Sequence, residues 1–299
     1  MTEITDSNQD TPECQPANPV RTIEALIKLY EQGYRNFSGS DLRGVTLNTV
    51  DKEIKNINLQ GVILTGSNLS AIVFKRLTPE LSVDLTGSSF KDCNLKLADF
   101  SNCRIDQCNF SNSSLSGTNF QYSSCRGSDF IKATIQNIQL SEKSDFTASD
   151  FSGASFLRSA LFGVFTAVDF TESIFHSCSL SGIFRQANFS KANLRSAKFG
   201  VNNRSSFAES DFTGANLQSA TLSGDFSQVT FCRSNFNMAK LKDFNAQGAN
   251  FLDVNLNVSE VSNATLKYCY YNSKTKFNER LDPVASGMEL IEDEIESED

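Results

Sequence analysis

Bulky apolar residues recur at every fifth position along most of this chain. This spacing matches neither the 3.6-residue period of a helix nor the two-residue period of a strand. In the stretch ANFSKANLRSAKFG the bulky residues are Phe189, Leu194 and Phe199, and an alanine lies two positions before each of them. We call each bulky residue a centre. A fixed spacing of this kind indicates an internal repeat, which constrains the fold more than any local propensity does.

The repeat extends with few interruptions from Phe37 to Tyr271. Of the 25 phenylalanines in the chain, 22 are centres, and only Phe162, Phe244 and Phe277 are not. Chance would put about a fifth of them at centres, since one position in five is a centre. The residue before the centre is often Asp or Asn, so the unit reads A/S-D/N-L/F-x-x, as in SDLRG, ADFSN and SDFTG.

This unit resembles that of the pentapeptide-repeat family over residues 36–271, with more than 40 units in near register. The resemblance implies an all-β fold, a right-handed quadrilateral parallel β-helix in which four units form one square coil. At roughly 20 residues per coil, the repeat from Phe37 to Tyr271 would form about twelve coils. Successive coils would stack at about 4.8 Å, the spacing of neighbouring strands. The centre and the compact residue two before it are expected to point inward, and the other three residues outward. The core is expected to include the centres Phe170, Phe189, Leu194, Phe199, Phe212 and Phe231.

Both ends of such a rod expose open ladders and need caps. The segment TIEALIKLYEQG predicts a short N-terminal helical cap within residues 19–35, with Thr22 as N-cap and Gly33 at its end. The polar residues 1–18 are expected to be disordered. Residues 272–288 resemble the closing segment of many cyanobacterial members of the family, which predicts a C-terminal cap and a cyanobacterial source. Residues 289–299 are expected to form a solvated acidic tail.

The five-residue spacing breaks at five places. The intervals are six residues from Leu140 to Phe146, eight from Phe199 to Phe207, and four from Leu161 to Phe165, Leu180 to Phe184 and Leu222 to Phe226. Each break lies four steps after the last, so all five are predicted on one edge of the square. This edge is either a seam that tolerates length variation or an interaction surface, since loops on rigid scaffolds often bind partners. The interaction hypothesis assigns binding to Lys143, Phe162, Val164, Ile183, Val201, Asn202, Asn203 and Arg204.

Catalytic and metal-binding patterns are missing from the sequence. Most cysteines take compact inward positions, where a thiol behaves as a small hydrophobe and suits a reducing compartment. His176 is the single histidine, so neither a catalytic triad nor a histidine-based zinc site can form in the usual way. We therefore expect no enzyme activity, no cofactor and no metal.

Charge weighs against one function known in the family, in which members mimic duplex DNA and bind type II topoisomerases such as gyrase. Residues 37–271 contain 21 Lys and Arg and 20 Asp and Glu, a net charge of +1. The two ends contain the other 6 basic and 15 acidic residues, a net charge of −9. Duplex DNA carries one negative charge about every 1.7 Å, so a near-neutral rod imitates it poorly. Binding to nucleic acid is not expected either, because no basic stripe appears.

The sequence therefore favours a non-catalytic protein-interaction rod, acting as a scaffold or regulator for an unknown protein partner in the cytoplasm. The chain contains neither a long apolar stretch nor a secretory signal pattern, so no membrane association is expected. The alternatives are the gyrase-binding mimic and a self-associating structural protein. Self-association could give a homodimer through a terminal cap that presents Tyr270, Leu281 and Met288.

Overall fold

The computed structural model describes residues 17–47, 56–74, 82–200 and 205–292. Within these residues it contains one helix and sixteen short strands. In chain order they are α1 Ile23–Glu31, β1 Asn56–Asn58, β2 Ser82–Asp84, β3 Ser114–Ser116, β4 Thr134–Gln136, β5 Ser155–Leu157, β6 Ala160–Val164, β7 Ile174–His176, β8 Ser179–Ile183, β9 Lys198–Phe199, β10 Thr221–Asp225, β11 Lys240–Asn245, β12 Asn255–Leu256, β13 Glu260–Ser262, β14 Tyr270–Tyr271, β15 Lys276–Phe277 and β16 Glu289–Leu290.

Each regular unit is a short extended piece followed by a tight turn. After the centre Leu95, the amide of Ala98 donates to the Leu95 carbonyl at 3.0 Å, and Leu97 has φ of 60°. A positive φ at the third residue of a four-residue turn defines a type II turn, which glycine and asparagine adopt most easily. This requirement explains the many glycines, such as Gly87 and Gly153, two positions after a centre.

Stacked units pair through the residue before each centre, and every pairing among the described strands is parallel. Four ladders result, one for each unit of a coil. The first ladder starts at Asn36, the second at Asp41, the third at Thr46 and the fourth at Asn58. This arrangement is the parallel β-helix implied by the repeat.

The number of regular coils differs slightly from the expected twelve. Nine turns separate the ten residues that the fourth ladder links from Asp84 to Thr265. These residues are Asp84, Arg104, Ser124, Asp145, Val164, Ile183, Ser206, Asp225, Asn245 and Thr265. The two preceding turns of the first ladder, from Asn36 to Ile63 and from Ile63 to Ser89, are longer than the regular ones. Their extra length includes residues 48–55 and 75–81, so the chain cannot be divided into equal coils.

The core is a column of stacked rings. Phe189 lies between Phe170 and Phe212, with ring centroids 4.8 and 4.6 Å away and planes within 14° of parallel. Rings on opposite ladders meet edge to face across the core, as Phe90 of the first ladder and Phe100 of the third do at 5.4 Å. Both geometries are favourable for aromatic pairs. The six predicted core centres, Phe170, Phe189, Leu194, Phe199, Phe212 and Phe231, are each at most 1 % exposed.

The compact inward position also carries buried hydroxyls. Ser128 Oγ donates to the Ile105 carbonyl of the preceding coil at 2.8 Å, and Ser149 Oγ donates to the Cys125 carbonyl at 2.7 Å. Each bond satisfies a polar group that burial would otherwise penalise. Serine can therefore replace alanine at this position while holding adjacent coils together.

Helix α1 covers the N-terminal end of the solenoid. Thr22 Oγ1 accepts from the Ala25 amide at 3.2 Å, which is the bond expected of an N-cap. Ile23 and Leu26 are buried against the first coil. Tyr30 Oη donates to the Gln60 carbonyl at 2.8 Å and so ties the helix to the second coil.

At the C-terminal end the repeat continues further than the sequence pattern indicated. Phe277, which was not assigned as a centre, pairs with the centre Leu256 in the second ladder. Residues Glu289–Leu290, expected to begin the acidic tail, pair with Tyr270–Tyr271 in the first ladder. Short intervening turns restore the register after an irregular stretch, and a five-residue pattern cannot reveal this.

Phe244 is a second exception, because it is fully buried although it was not assigned as a centre. It lies two positions before the centre Ala246, so the large and compact residues have exchanged places. Its ring is 5.0 Å from that of Phe226 in the coil before. The exchange keeps the local core volume constant, which close packing requires.

Candidate interaction edge

All five spacing breaks lie between the third and fourth ladders. We call this part of the coils the irregular edge, and its described residues are 141–144, 162–163, 181–182, 200, 205, 223–224 and 242–244. It belongs to a six-stranded parallel sheet with the order β6-β8-β9-β10-β11-β13. Strands β6, β8 and β10 each have five residues, whereas the strands of the four-stranded sheet on the second ladder have three. The chain stays extended across this corner, which is why four residues suffice between centres.

Glycine makes the extended corner possible. A Cβ atom built on Gly182 would overlap the backbone of Gly163 in the coil before, and one built on Gly163 would lie 2.5 Å from the Ser144 carbonyl oxygen. A Cβ on Gly224 would lie 2.8 Å from the Ser205 carbonyl oxygen. Successive backbones therefore touch along the edge, and any side chain would push them apart. The recurrent sequences LFGV, LSGI and LSGD contain this signal, although spacing alone did not identify its cause.

Three of the predicted interaction residues lie on adjacent strands of this sheet. Val164 pairs with Ile183, and Phe162 pairs with Ser181. Phe162 and Val164 are half-buried, and Ile183 is 41 % exposed. The sequence predicted that Phe162 would face outward, and its side chain is half-buried in the structure. Together, Phe162, Val164 and Ile183 form an apolar patch on an otherwise polar edge.

Charged residues border this apolar patch on both sides. Lys143 is exposed in the loop one coil before Phe162. Arg126 Nε lies 2.7 Å from Asp145 Oδ2 beside the same loop. On the other side, Arg185 forms an ion pair with Glu209. These two ion pairs are functional candidates that the spacing argument missed, because they join residues of different coils.

The remaining predicted interaction residues, Val201, Asn202, Asn203 and Arg204, lie outside the described residues. Among the described residues, Gly200 follows β9 in the third ladder and Ser206 belongs to the fourth. The structure thus brings together Lys143, Phe162, Val164 and Ile183.

Two aspartates near the middle of the rod have opposite electrostatic environments. Burial and the neighbouring Asp150 carboxylate raise the pKa of Asp129. Burial would also raise the pKa of Asp145, but hydrogen bonds from Thr147 and the Arg126 guanidinium together hold it below its usual value near 3.8. Asp129, Asp150 and Asp169 occupy successive levels of the first ladder, so the rod has a local acidic row although its body is near neutral.

These shifts predict opposite effects of the two isosteric substitutions. Ionised Asp129 costs stability in the folded state, so Asp129→Asn should raise the melting temperature at pH 7. The gain should shrink as the pH falls and the wild-type carboxylate takes up its proton. Asp145→Asn should lower the melting temperature at pH 7, and that loss should also shrink in acid, because the contribution of the Asp145 carboxylate disappears as it is protonated. Thermal melts from pH 7 to pH 3.5 measure both effects, and equal shifts of the same sign would contradict this assignment.

Chemistry at the cysteines and the histidine is limited by their surroundings. Burial raises the pKa of the Cys93 thiol to about 12 and that of Cys269 to about 11, so both remain neutral and unreactive near pH 7. His176 is exposed on β7. Among the described residues, no group of three or more His, Cys, Asp or Glu side chains is placed to hold a metal ion. In the same part of the chain, no helix is long and apolar enough to cross a bilayer.

Comparison with known proteins finds a family model that matches part of the chain. The family model described as pentapeptide repeats matches residues 82–117, 108–142 and 165–200, with eight copies of the repeat. The first two matches overlap and together cover residues 82–142, and the third includes the four-residue break from Leu180 to Phe184. The matched residues therefore consist of pentapeptide repeats, as the resemblance of the repeat unit indicated.

Several solved structures of pentapeptide-repeat proteins are similar to this chain. HetL, a protein involved in heterocyst differentiation regulation from the cyanobacterium Nostoc sp. strain PCC 7120, is 17 % identical, with 90 % of this chain and 92 % of that chain covered and a TM-score of 0.28. QnrB1, a plasmid-mediated fluoroquinolone resistance protein, is 18 % identical, with 65 % and 89 % covered and a TM-score of 0.29. A protein from the Arabidopsis thaliana thylakoid lumen is 24 % identical, with 39 % and 63 % covered and a TM-score of 0.15. No curated protein sequence matches the chain.

Proposed function

We propose that this protein is a non-catalytic interaction rod, a scaffold or regulator in the cytoplasm, and that it binds a protein partner through the irregular edge. The observation that carries the proposal is the apolar patch of Phe162, Val164 and Ile183 on solvent-facing positions of the six-stranded sheet. Outward positions elsewhere on the rod are mostly Ser, Thr, Asn and charged residues. An apolar cluster with a polar border is typical of the centre of a protein interface.

The backbone beneath the patch supports the proposal. Gly163 and Gly182 hold β6 and β8 in direct contact, so the patch is displayed on a rigid surface. A rigid surface loses little conformational entropy on binding, which favours affinity. Lys143 on one side and the Arg185–Glu209 pair on the other can select a partner of complementary charge. The partner is accordingly a protein with an apolar anchor bordered by charges.

The test compares three forms of the full chain as baits in the native extract. The double variant Phe162→Asp with Ile183→Asp places charges on the patch and should lose the partner by at least tenfold in quantitative mass spectrometry. Met238→Asp is the matched control, because Met238 is 53 % exposed on the second ladder, away from the irregular edge. It should retain the partner at the level of the unmodified chain.

Equal retention by all three baits would refute the proposed edge, provided that the melting temperatures of the variants match that of the unmodified chain. A partner lost from the control and retained by the edge variant would move the binding surface to the second ladder. The proposal also predicts no inhibition of DNA supercoiling by gyrase. Such inhibition would favour the DNA-mimic alternative.

A second candidate function, self-association, rests on the C-terminal end. Leu290 is 60 % exposed and Ile291 is 41 % exposed at the last described level of the first ladder. The sequence expectation that Leu281 and Met288 would be presented is wrong, since they are 4 % and 7 % exposed and pack against the last coil. Tyr270 is 37 % exposed, so Tyr270, Leu290 and Ile291 are the residues that a homodimer would cover. Light scattering of the unmodified chain and of Leu290→Lys separates a dimer from a monomer.

A further inference from the structure

A surface cavity of about 520 Å³ lies at the corner between the second and third ladders, one face away from the irregular edge. It is lined by Ser177, Cys178, Ser179, Ser196 and Lys198. Its volume is within the range of small-molecule sites in proteins. The cavity contains none of the residues of the irregular edge, although Ser179 and Lys198 lie on β8 and β9 of the same sheet.

The register of three coils explains the shape of this cavity. Leu157 pairs with His176, and Ile174 pairs with Asn193, so Ser177 and Ser196 occupy the same turn position in successive coils. Both serines have positive φ, 55° and 59°. Two small side chains at consecutive turns leave a recess. Lys198 is held beside it, because its amide donates to the Cys178 carbonyl at 3.1 Å.

The coil segments that line the cavity, and the segment of the coil before them, are rich in basic residues. The coil segments 155–160, 174–179 and 193–198 include Arg158, His176, Arg195 and Lys198 but no Asp or Glu. Arg158 shares the turn position of Ser177 in the coil before, and Arg195 follows His176 in register. All four side chains are exposed.

Arg158 and Arg195 differ from the other arginines of the described repeats. Ion pairs with carboxylates occupy Arg43, Arg104, Arg126, Arg185 and Arg233. Neither Arg158 nor Arg195 has a carboxylate partner among the described residues. Two guanidinium groups without a carboxylate partner, two coils apart on a rod that otherwise pairs its arginines, leave local donor capacity for an anion.

The chemistry of the site fits a compact oxyanion. Lys198 is the charged residue of the lining, and the hydroxyls of Ser177, Ser179 and Ser196 add neutral donors. Arg195 directly precedes the lining residue Ser196, and a guanidinium group can bind phosphate oxygens with directed hydrogen bonds. The coils on either side carry Gln136 and Asn137, or Gln218 and Ser219, at the corresponding positions, so the positive charge is confined to about three coils. A charge of this extent suits a small ligand better than a polymer that follows the rod. We propose that this cavity binds a small phosphate-bearing anion, a pyrophosphate or a phosphate monoester.

Isothermal titration with inorganic pyrophosphate at constant ionic strength tests the proposal. The unmodified chain should bind one equivalent saturably, and orthophosphate should compete whereas chloride should not. The double variant Arg195→Gln with Lys198→Gln should weaken binding at least tenfold, and Ser196→Ala should weaken it by a smaller factor. Arg233→Gln is the matched control, because it removes an exposed arginine elsewhere on the rod and should leave the affinity unchanged.

All substituted side chains here are exposed, so the variants should melt at the temperature of the unmodified chain. Absence of saturable pyrophosphate binding to the unmodified chain would overturn the proposal. An unchanged affinity in the Arg195→Gln, Lys198→Gln variant would overturn it as well. Equal weakening by Arg233→Gln would show that only the overall charge matters, which is also inconsistent with a defined site.

Discussion

Phe189→Asp should prevent the middle coils from folding. The Phe189 ring is stacked between two others and has no solvent exposure. Truncation to alanine alone should cost about 3–5 kcal/mol. A carboxylate at that position would in addition lose its hydration with no partner in the core, which adds several kcal/mol. Because each coil contacts its neighbours only, the damage should spread from the level of Phe189 to adjacent coils.

Urea denaturation followed by far-UV circular dichroism measures this effect. Phe162→Asp is the matched control, since it makes the same chemical change at a half-buried position on the outer side of β6. That variant should remain folded. A fully folded Phe189→Asp protein would contradict the assignment of centres along the chain.

Gly200→Ala should be the second most damaging substitution, although it adds a single methyl group. A Cβ atom on Gly200 would overlap the carbonyl oxygen of Ser223 in the following coil, and Gly200 has φ of +66°. The methyl group must separate two backbones and also occupy the left-handed region, so the combined cost should be about 3 kcal/mol.

Gly66→Ala is the matched control for Gly200→Ala, because the two glycines have nearly the same positive φ. Gly66 has φ of +67°, but a Cβ atom there would meet no other atom within 4 Å. It should therefore cost only the 1–2 kcal/mol or so of the left-handed conformation. The difference between the two variants in the free energy of unfolding reports the close contact alone. Equal destabilisation would mean that the irregular edge is not closely packed at Gly200.

The sequence predicted the core because a five-residue spacing leaves little choice of which residues face inward. Phe189 and its neighbours could be assigned from spacing alone. Phe244 and Ala246 could not, because the exchange of large and compact residues preserves volume while reversing the pattern. Phe277 and Leu290 were missed for another reason: the turns before them differ in length, and only the ladders show that their registers are restored.

The sequence was enough to predict where the spacing breaks lie, but not the contacts between residues of different coils. Counting units was enough to place all the breaks on one edge. The contact between Gly163 and Gly182 depends on the distance between two coils, which spacing along one chain cannot reveal. The same limit hid the unpaired Arg158 and Arg195, since their surroundings come from residues about twenty positions away in sequence.

The central claim is that the partner protein binds the irregular edge. Lysine footprinting of the complex tests this claim most directly. The captured partner is bound to the unmodified chain, and the acetylation rates of exposed lysines are compared with those of the free chain by mass spectrometry. Lys143 lies on the edge, and Lys132 is exposed on the first ladder. We predict that the partner slows labelling of Lys143 several-fold and leaves Lys132 unchanged. Protection of Lys132 with no change at Lys143 would contradict the claim.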